Sequence, residues 1–148
     1  MTAERNFEGA HEVAAGRIEE LRRLEAAERA LAEALATYFR GRAGGAAQLH
    51  LAERYRAHAA LLAARIHELG GELDVDSDDV WIMGDPREPK TILYAVQAAQ
   101  RTYHDHLLDL DPQTMHLVRD RILPDHDAVL AALTGDAGYE AGFSREDG

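Results

Sequence analysis

Residues 69–89 read LGGELDVDSDDVWIMGDPREP, and the reading of this stretch decides the fold. Gly70-Gly71 stops a helix, because glycine accepts the left-handed conformation that a helix end needs. Pro89 suits the first turn of the next helix, where its missing N–H costs nothing. The join between them is about 18 residues long; extended at ~3.3 Å per residue, it can travel the ~30–35 Å length of a helical bundle. The two helices it joins can therefore run parallel.

Working outward, the flanking segments carry helical periodicity. Before the stretch, Leu51, Tyr55, Ala59, Leu62, Ile66 and Leu69 form one stripe on a helix over residues 46–69. Leu21, Leu24, Leu31, Leu35 and Tyr38 form another on a helix over residues 9–40. Gly41, Gly44 and Gly45 mark a tight connection between these two. After the stretch, Ile92, Val96, Ala99, Tyr103 and Leu107 face inward on a third helix reaching Leu110. Asp111-Pro112 reads as an N-cap with proline at the first helical position. A fourth helix then shows Met115, Val118, Ile122, Val129 and Leu133, and Thr134-Gly135 ends it. Pro124 removes a backbone donor from that helix and should kink it. The two short joins make each flanking pair an antiparallel hairpin. The expectation is one all-α domain, a four-helix bundle over residues 1–134, followed by a loosely ordered, Gly- and charge-rich tail over 135–148.

Composition narrows the function classes. The net charge of −11 argues against binding a nucleic-acid backbone. The absence of cysteine excludes disulfides, thiolate metal sites and a cysteine nucleophile. No apolar run approaches the ~18–20 residues needed to cross a bilayer, and the first residues, MTAERNFEGA, lack the hydrophobic centre of a secretory signal. A cytoplasmic protein with no membrane partner is expected.

Four polar residues interrupt the apolar stripes. Glu28 lies between Leu24 and Leu31, His58 between Tyr55 and Leu62, and His126 between Ile122 and Val129. Gln100 sits near the inner face between Val96 and Tyr103. Burying a carboxylate and two imidazoles costs several kcal/mol, on the order of one lost partner each, unless they are paired or bound to a metal. One reading is a hydrogen-bonded cluster in which Glu28 accepts from a histidine, with Gln100 and Tyr55 satisfying the remainder. The other is a metal site at Glu28, His58, Gln100 and His126, since two histidines and one carboxylate form the ligand set of many mononuclear iron or zinc centres. The cofactor is then none, or a single iron or zinc ion.

Weaker signals carry less. His104 and His106 stand two apart on a helix and diverge, so they cannot chelate one ion. Asp74, Asp76 and Asp78, with Asp85 at the twelfth place, imitate a calcium loop, but Asp79 stands where glycine is needed. Trp81, Ile82 and Met83 read as a plug closing one end of the bundle.

With these residues in view, the chain resembles the ferritin-like superfamily, and within it a branch of small, uncharacterised bacterial four-helix bundles. The resemblance spans roughly residues 15–133. It is carried by Leu24-Glu25-Ala26-Ala27-Glu28-Arg29, Leu69-Gly70-Gly71-Glu72, Ile92-Leu93 with Gln100, and His126-Asp127. The superfamily's di-iron site takes a Glu from each of two helices and Glu-x-x-His from each of the other two. Here Tyr55 stands where the Glu preceding His58 should be, Gln100 replaces a bridging Glu, and Leu123 replaces the partner of His126. One of four carboxylates remains, so ferroxidase and iron-storage activities are not expected. The leading expectation is a non-enzymatic or vestigial ferritin-like bundle that forms a homo-oligomer and whose degenerate polar core can bind one metal ion. Two alternatives stand beside it: an iron-dependent oxidoreductase with a mononuclear 2-His-1-carboxylate site, and a stress-related protein-interaction module.

Overall fold

The structure is a computed structural model; it describes the backbone of residues 2–73 and 81–146, and the side chains of 17–73, 81–107 and 109–134. Every regular element among the described residues is helical. Helix α1 spans Thr2–Arg40, α2 Leu49–Glu68 and α3 Pro89–His106. The fourth rod is continuous but composite: α4 (Pro112–Leu117), a π-helical turn (Val118–Ile122) and α5 (Leu123–Glu146). Among the described residues no helix is long and apolar enough to cross a membrane.

Two core clusters give the helix directions. One joins Leu31, Leu35, Tyr38 and Phe39 of α1 to Leu51 of α2, Ile92 and Val96 of α3, and Leu133 of α5. The other joins Leu21 and Leu24 of α1 to Leu62 and Ile66 of α2, Tyr103 of α3, and Val118 and Ile122 of the π turn. So α1 and the fourth rod run from the second cluster to the first, while α2 and α3 run the opposite way. Helices α2 and α3 are therefore parallel, and the segment between them joins opposite ends of the bundle. Its beginning is held at one end, where the Arg22 Nε donates to the Glu72 carbonyl at 2.6 Å. Its far side reaches the other end, where Trp81 and Ile82 pack half-buried against the first cluster. The expected plug is these two residues; Met83 is 81% exposed. Asp74, Asp76 and Asp78 lie outside the described residues, and Asp85 is bound to Arg87.

The stops and starts have local causes. Gly70 takes φ 88° at the end of α2, the conformation that other residues resist. Gly45 allows the α1–α2 turn to fold tightly, since a Cβ there would fall 1.9 Å from the Phe39 carbonyl oxygen. Asp111 caps α4, its side chain accepting from the Thr114 N–H at 3.2 Å. The Arg65 guanidinium then donates to Asp111 at 2.7 Å and to the Thr114 hydroxyl at 3.0 Å. This clamp ties the end of α2 to the start of the fourth rod. The carboxyl of Asp111 is pushed up by burial, yet the Thr114 and Arg65 hydrogen bonds outweigh that and hold it below 3.8.

The helices differ from the sequence reading in several places: α2 begins at Leu49 after a tighter turn over Gly45–Gln48, and α3 ends at His106. Helix α1 begins at Thr2 instead of Gly9, and α5 continues beyond Thr134-Gly135 to Glu146. An isolated glycine costs a helix only about 1 kcal/mol, and the alanines and glutamates around these glycines are good helix formers. The break expected at Pro124 takes the form of the π turn that ends two residues before it. Widening the helix there moves carbonyls away from the proline ring, which an unaltered α-helix would force into contact.

Candidate functional site

Glu28 lies in the second half of α1, between Leu24 of one core cluster and Leu31 of the other, and is wholly buried. His126 of α5 is wholly buried as well, and His58 of α2 is 3% exposed. The periodicity that placed them on the inner stripes brings these three together. The Nε2 of His126 lies 2.9 and 3.0 Å from the two oxygens of the Glu28 carboxylate, so its N–H is shared by both. The Nδ1 of His58 lies 3.3 Å from one of those oxygens. Its other nitrogen, Nε2, lies 2.7 Å from Asp125 Oδ2. Asp125 is completed by Arg54, whose Nη1 donates to Oδ1 at 2.8 Å. The result is a chain of alternating charge that leads from a buried carboxylate, through His58, to the surface.

Aromatic rings enclose the layer. Tyr55 stacks on His126 with ring centroids 4.9 Å apart, and Tyr103 meets the same imidazole edge-on at 5.4 Å. Burial and the charge of Glu28 hold both phenols well above their ordinary 10, so they stay neutral. Burial alone would raise the Glu28 carboxyl. The charge and hydrogen bond of His126, with those of His58, outweigh it and hold the group below 4.5. Burial likewise pushes His58 down, but the hydrogen bonds and charges of Glu28 and then Asp125 raise it above 6.5. Carboxylate and imidazolium thus stabilise one another, which is how a buried charge is tolerated.

Gln100 does not join this layer. It is half-buried on the flank of α3, and its Nε2 donates to Asp127 Oδ1 at 2.7 Å. Asp125 does belong, and the sequence reading missed it. It stands three residues after Ile122 and four before Val129, a spacing that places it on the inner flank of the same stripe. His104 is exposed, and His106 faces Glu20 at 3.5 Å and Asp109 at 3.7 Å, so neither approaches the layer. Beside His58 a shallow cleft opens between α2 and the fourth rod, with Arg54, Asp120, Arg121 and Pro124 around it.

The donor set does not fit a di-iron centre: among the described residues Glu28 is the carboxylate that faces the two imidazoles, and Tyr55 beside them carries a neutral phenol. Nor, among the described residues, is any group of three or more His, Asp or Glu side chains arranged to hold a metal ion. The Glu28 oxygens are taken up by the two imidazoles instead.

No protein-family profile, curated protein or solved structure is significantly similar to this chain. The functional reading therefore rests on the chain's own residues and geometry.

Proposed function

We propose that this chain is a non-catalytic, ferritin-like bundle in which a hydrogen-bonded Glu28–His58–His126 layer takes the place of a metal centre and fixes helix register. The observation that carries the reading is the closure of His126 Nε2 on both oxygens of a fully buried Glu28. Topology supports the ferritin-like part: α2 and α3 are parallel, and α1 and the fourth rod run against them. A polar layer of this kind disfavours slipped packings, because a shift of one turn would leave a carboxylate buried against hydrocarbon. Function then resides on the outside of the bundle, as a homo-oligomeric scaffold.

The test uses tag-free protein. Zinc or ferrous iron added in excess should leave the melting temperature unchanged, ferrous iron should not drive oxygen consumption, and light scattering should give a mass above one chain. A metal-dependent rise in melting temperature would overturn the reading, since binding to the native state stabilises it by mass action. Iron-dependent oxygen consumption would favour the oxidoreductase alternative.

A further inference from the structure

Of the buried trio Glu28, His58 and His126, His58 lines the cleft between α2 and the fourth rod. On its inner side Nδ1 faces Glu28 of α1 at 3.3 Å. On its outer side Nε2 meets Asp125 of α5 at 2.7 Å, and Asp125 is bound in turn by Arg54 of α2. Asp120 and Arg121 of the π turn flank the cleft beside it. The other titratable groups around it are Tyr55 on its own helix, His126 on α5 and, beyond His126, Tyr103 on α3. Two carboxylates thus face opposite nitrogens of one imidazole, and only the doubly protonated ring can donate to both. Asp125, 17% exposed, is the point at which solvent protons can arrive.

We propose that His58 is a proton gate: it takes a proton at the Asp125 side of the cleft, holds it against buried Glu28, and so couples the packing of α2 on the fourth rod to external pH. With the proton in place His58 is paired on both sides, with Glu28 on one and Asp125 on the other. Without it, one ring nitrogen presents a lone pair to the carboxylate it faces, and one of the two contacts turns repulsive. The seam between α2 and α5 then loosens beside the cleft.

The sign follows from linkage. A histidine raised in the folded state stabilises fully below its unfolded value of 6.5, and the contribution fades as pH climbs through the folded value. The full-length protein is unfolded in urea from pH 5 to 9.5 while the His58 ring nitrogens are followed by 15N NMR. The unfolding equilibrium constant should rise above pH 6.5 with a slope of up to about tenfold per pH unit, the limit for a single proton, in step with the His58 signal. His58→Gln should remove that rise. Asp125→Asn sits at the rim and leaves the interior packing in place; it should lower the His58 titration midpoint, and it keeps the proposal testable if His58→Gln does not fold. A His58 signal that stays neutral throughout, or an Asp125→Asn midpoint equal to the wild type's, would overturn the gate. Neither result would depend on whether the bundle self-associates.

Discussion

Replacing Glu28 by Gln keeps the shape of the side chain and removes its charge, which makes it the sharpest probe of the buried layer. In the native protein the carboxylate accepts from His126 at 2.9 and 3.0 Å and faces His58 at 3.3 Å. An amide turns one acceptor into a donor, so one imidazole N–H loses its partner. Losing a hydrogen bond to a charged group costs roughly 1.5–3 kcal/mol. The charge of His58 also loses its inner counter-ion; breaking a buried pair costs about 3–5 kcal/mol unless the survivor can neutralise. His58 can neutralise by releasing its proton toward Asp125, so the expected loss is at the low end, about 3 kcal/mol near pH 6. The loss must depend on pH. The Glu28 contribution is present above 4.5 and fades as pH falls through its lowered folded value, and the His58 contribution fades above 6.5. Between those limits the variant should be most destabilised; by pH 9 the difference should shrink to about 1–2 kcal/mol, a neutral hydrogen bond's worth. Urea unfolding followed by far-UV circular dichroism at several pH values measures this. Equal destabilisation at pH 6 and pH 9, or a variant as stable as wild type, would refute the charge pairing.

Three further outcomes follow from the packing. Asp111→Ala removes an N-cap and one partner of a half-buried Arg65, and should cost about 2 kcal/mol; the wild-type advantage should vanish as pH falls below 3.8 through the lowered folded value, which acid titration of both proteins reads. Gly45→Ala would place a methyl on the Phe39 carbonyl, so the turn must open; a fall in melting temperature is expected, while the exposed Gly44 needs its glycine for φ 76° alone. Leu62→Ala empties part of the second core cluster and should cost about 2–5 kcal/mol in chemical unfolding, against under ~0.5 kcal/mol for Glu53→Ala on the exposed face.

Much of this architecture is legible in the sequence because helical periodicity and chain length are strong constraints. The stripes from Leu21 to Tyr38 and from Leu51 to Ile66 are buried as the spacing requires. The length of the join after Gly71 foretells the parallel pair, since an antiparallel neighbour would not need it. Glu28, His58 and His126 meet because each sits in phase with hydrophobes on its own helix. Gln100 shows the limit of phase alone. It stands one position from Ala99, on the flank of the stripe, and the choice between the interior and Asp127 depends on a neighbouring helix that periodicity does not see. Asp125 was hidden for the converse reason: a carboxylate on an inner flank reads as solvated until the histidine and arginine of α2 are placed opposite it. The ends of α1 and α5 were misplaced because single glycines weaken a helix without stopping it, whereas Gly70 stops one by taking a left-handed conformation.

The most direct test of the central claim, that Glu28 is satisfied by imidazoles and not by an ion, is anomalous diffraction from crystals of tag-free protein equilibrated with zinc and, separately, with ferrous iron. The account predicts no anomalous peak in the layer, with His126 Nε2 remaining about 2.9 Å from both Glu28 oxygens. A peak about 2.0–2.2 Å from a Glu28 oxygen and from nitrogens of His58 and His126, the distances of a bound zinc, would contradict it.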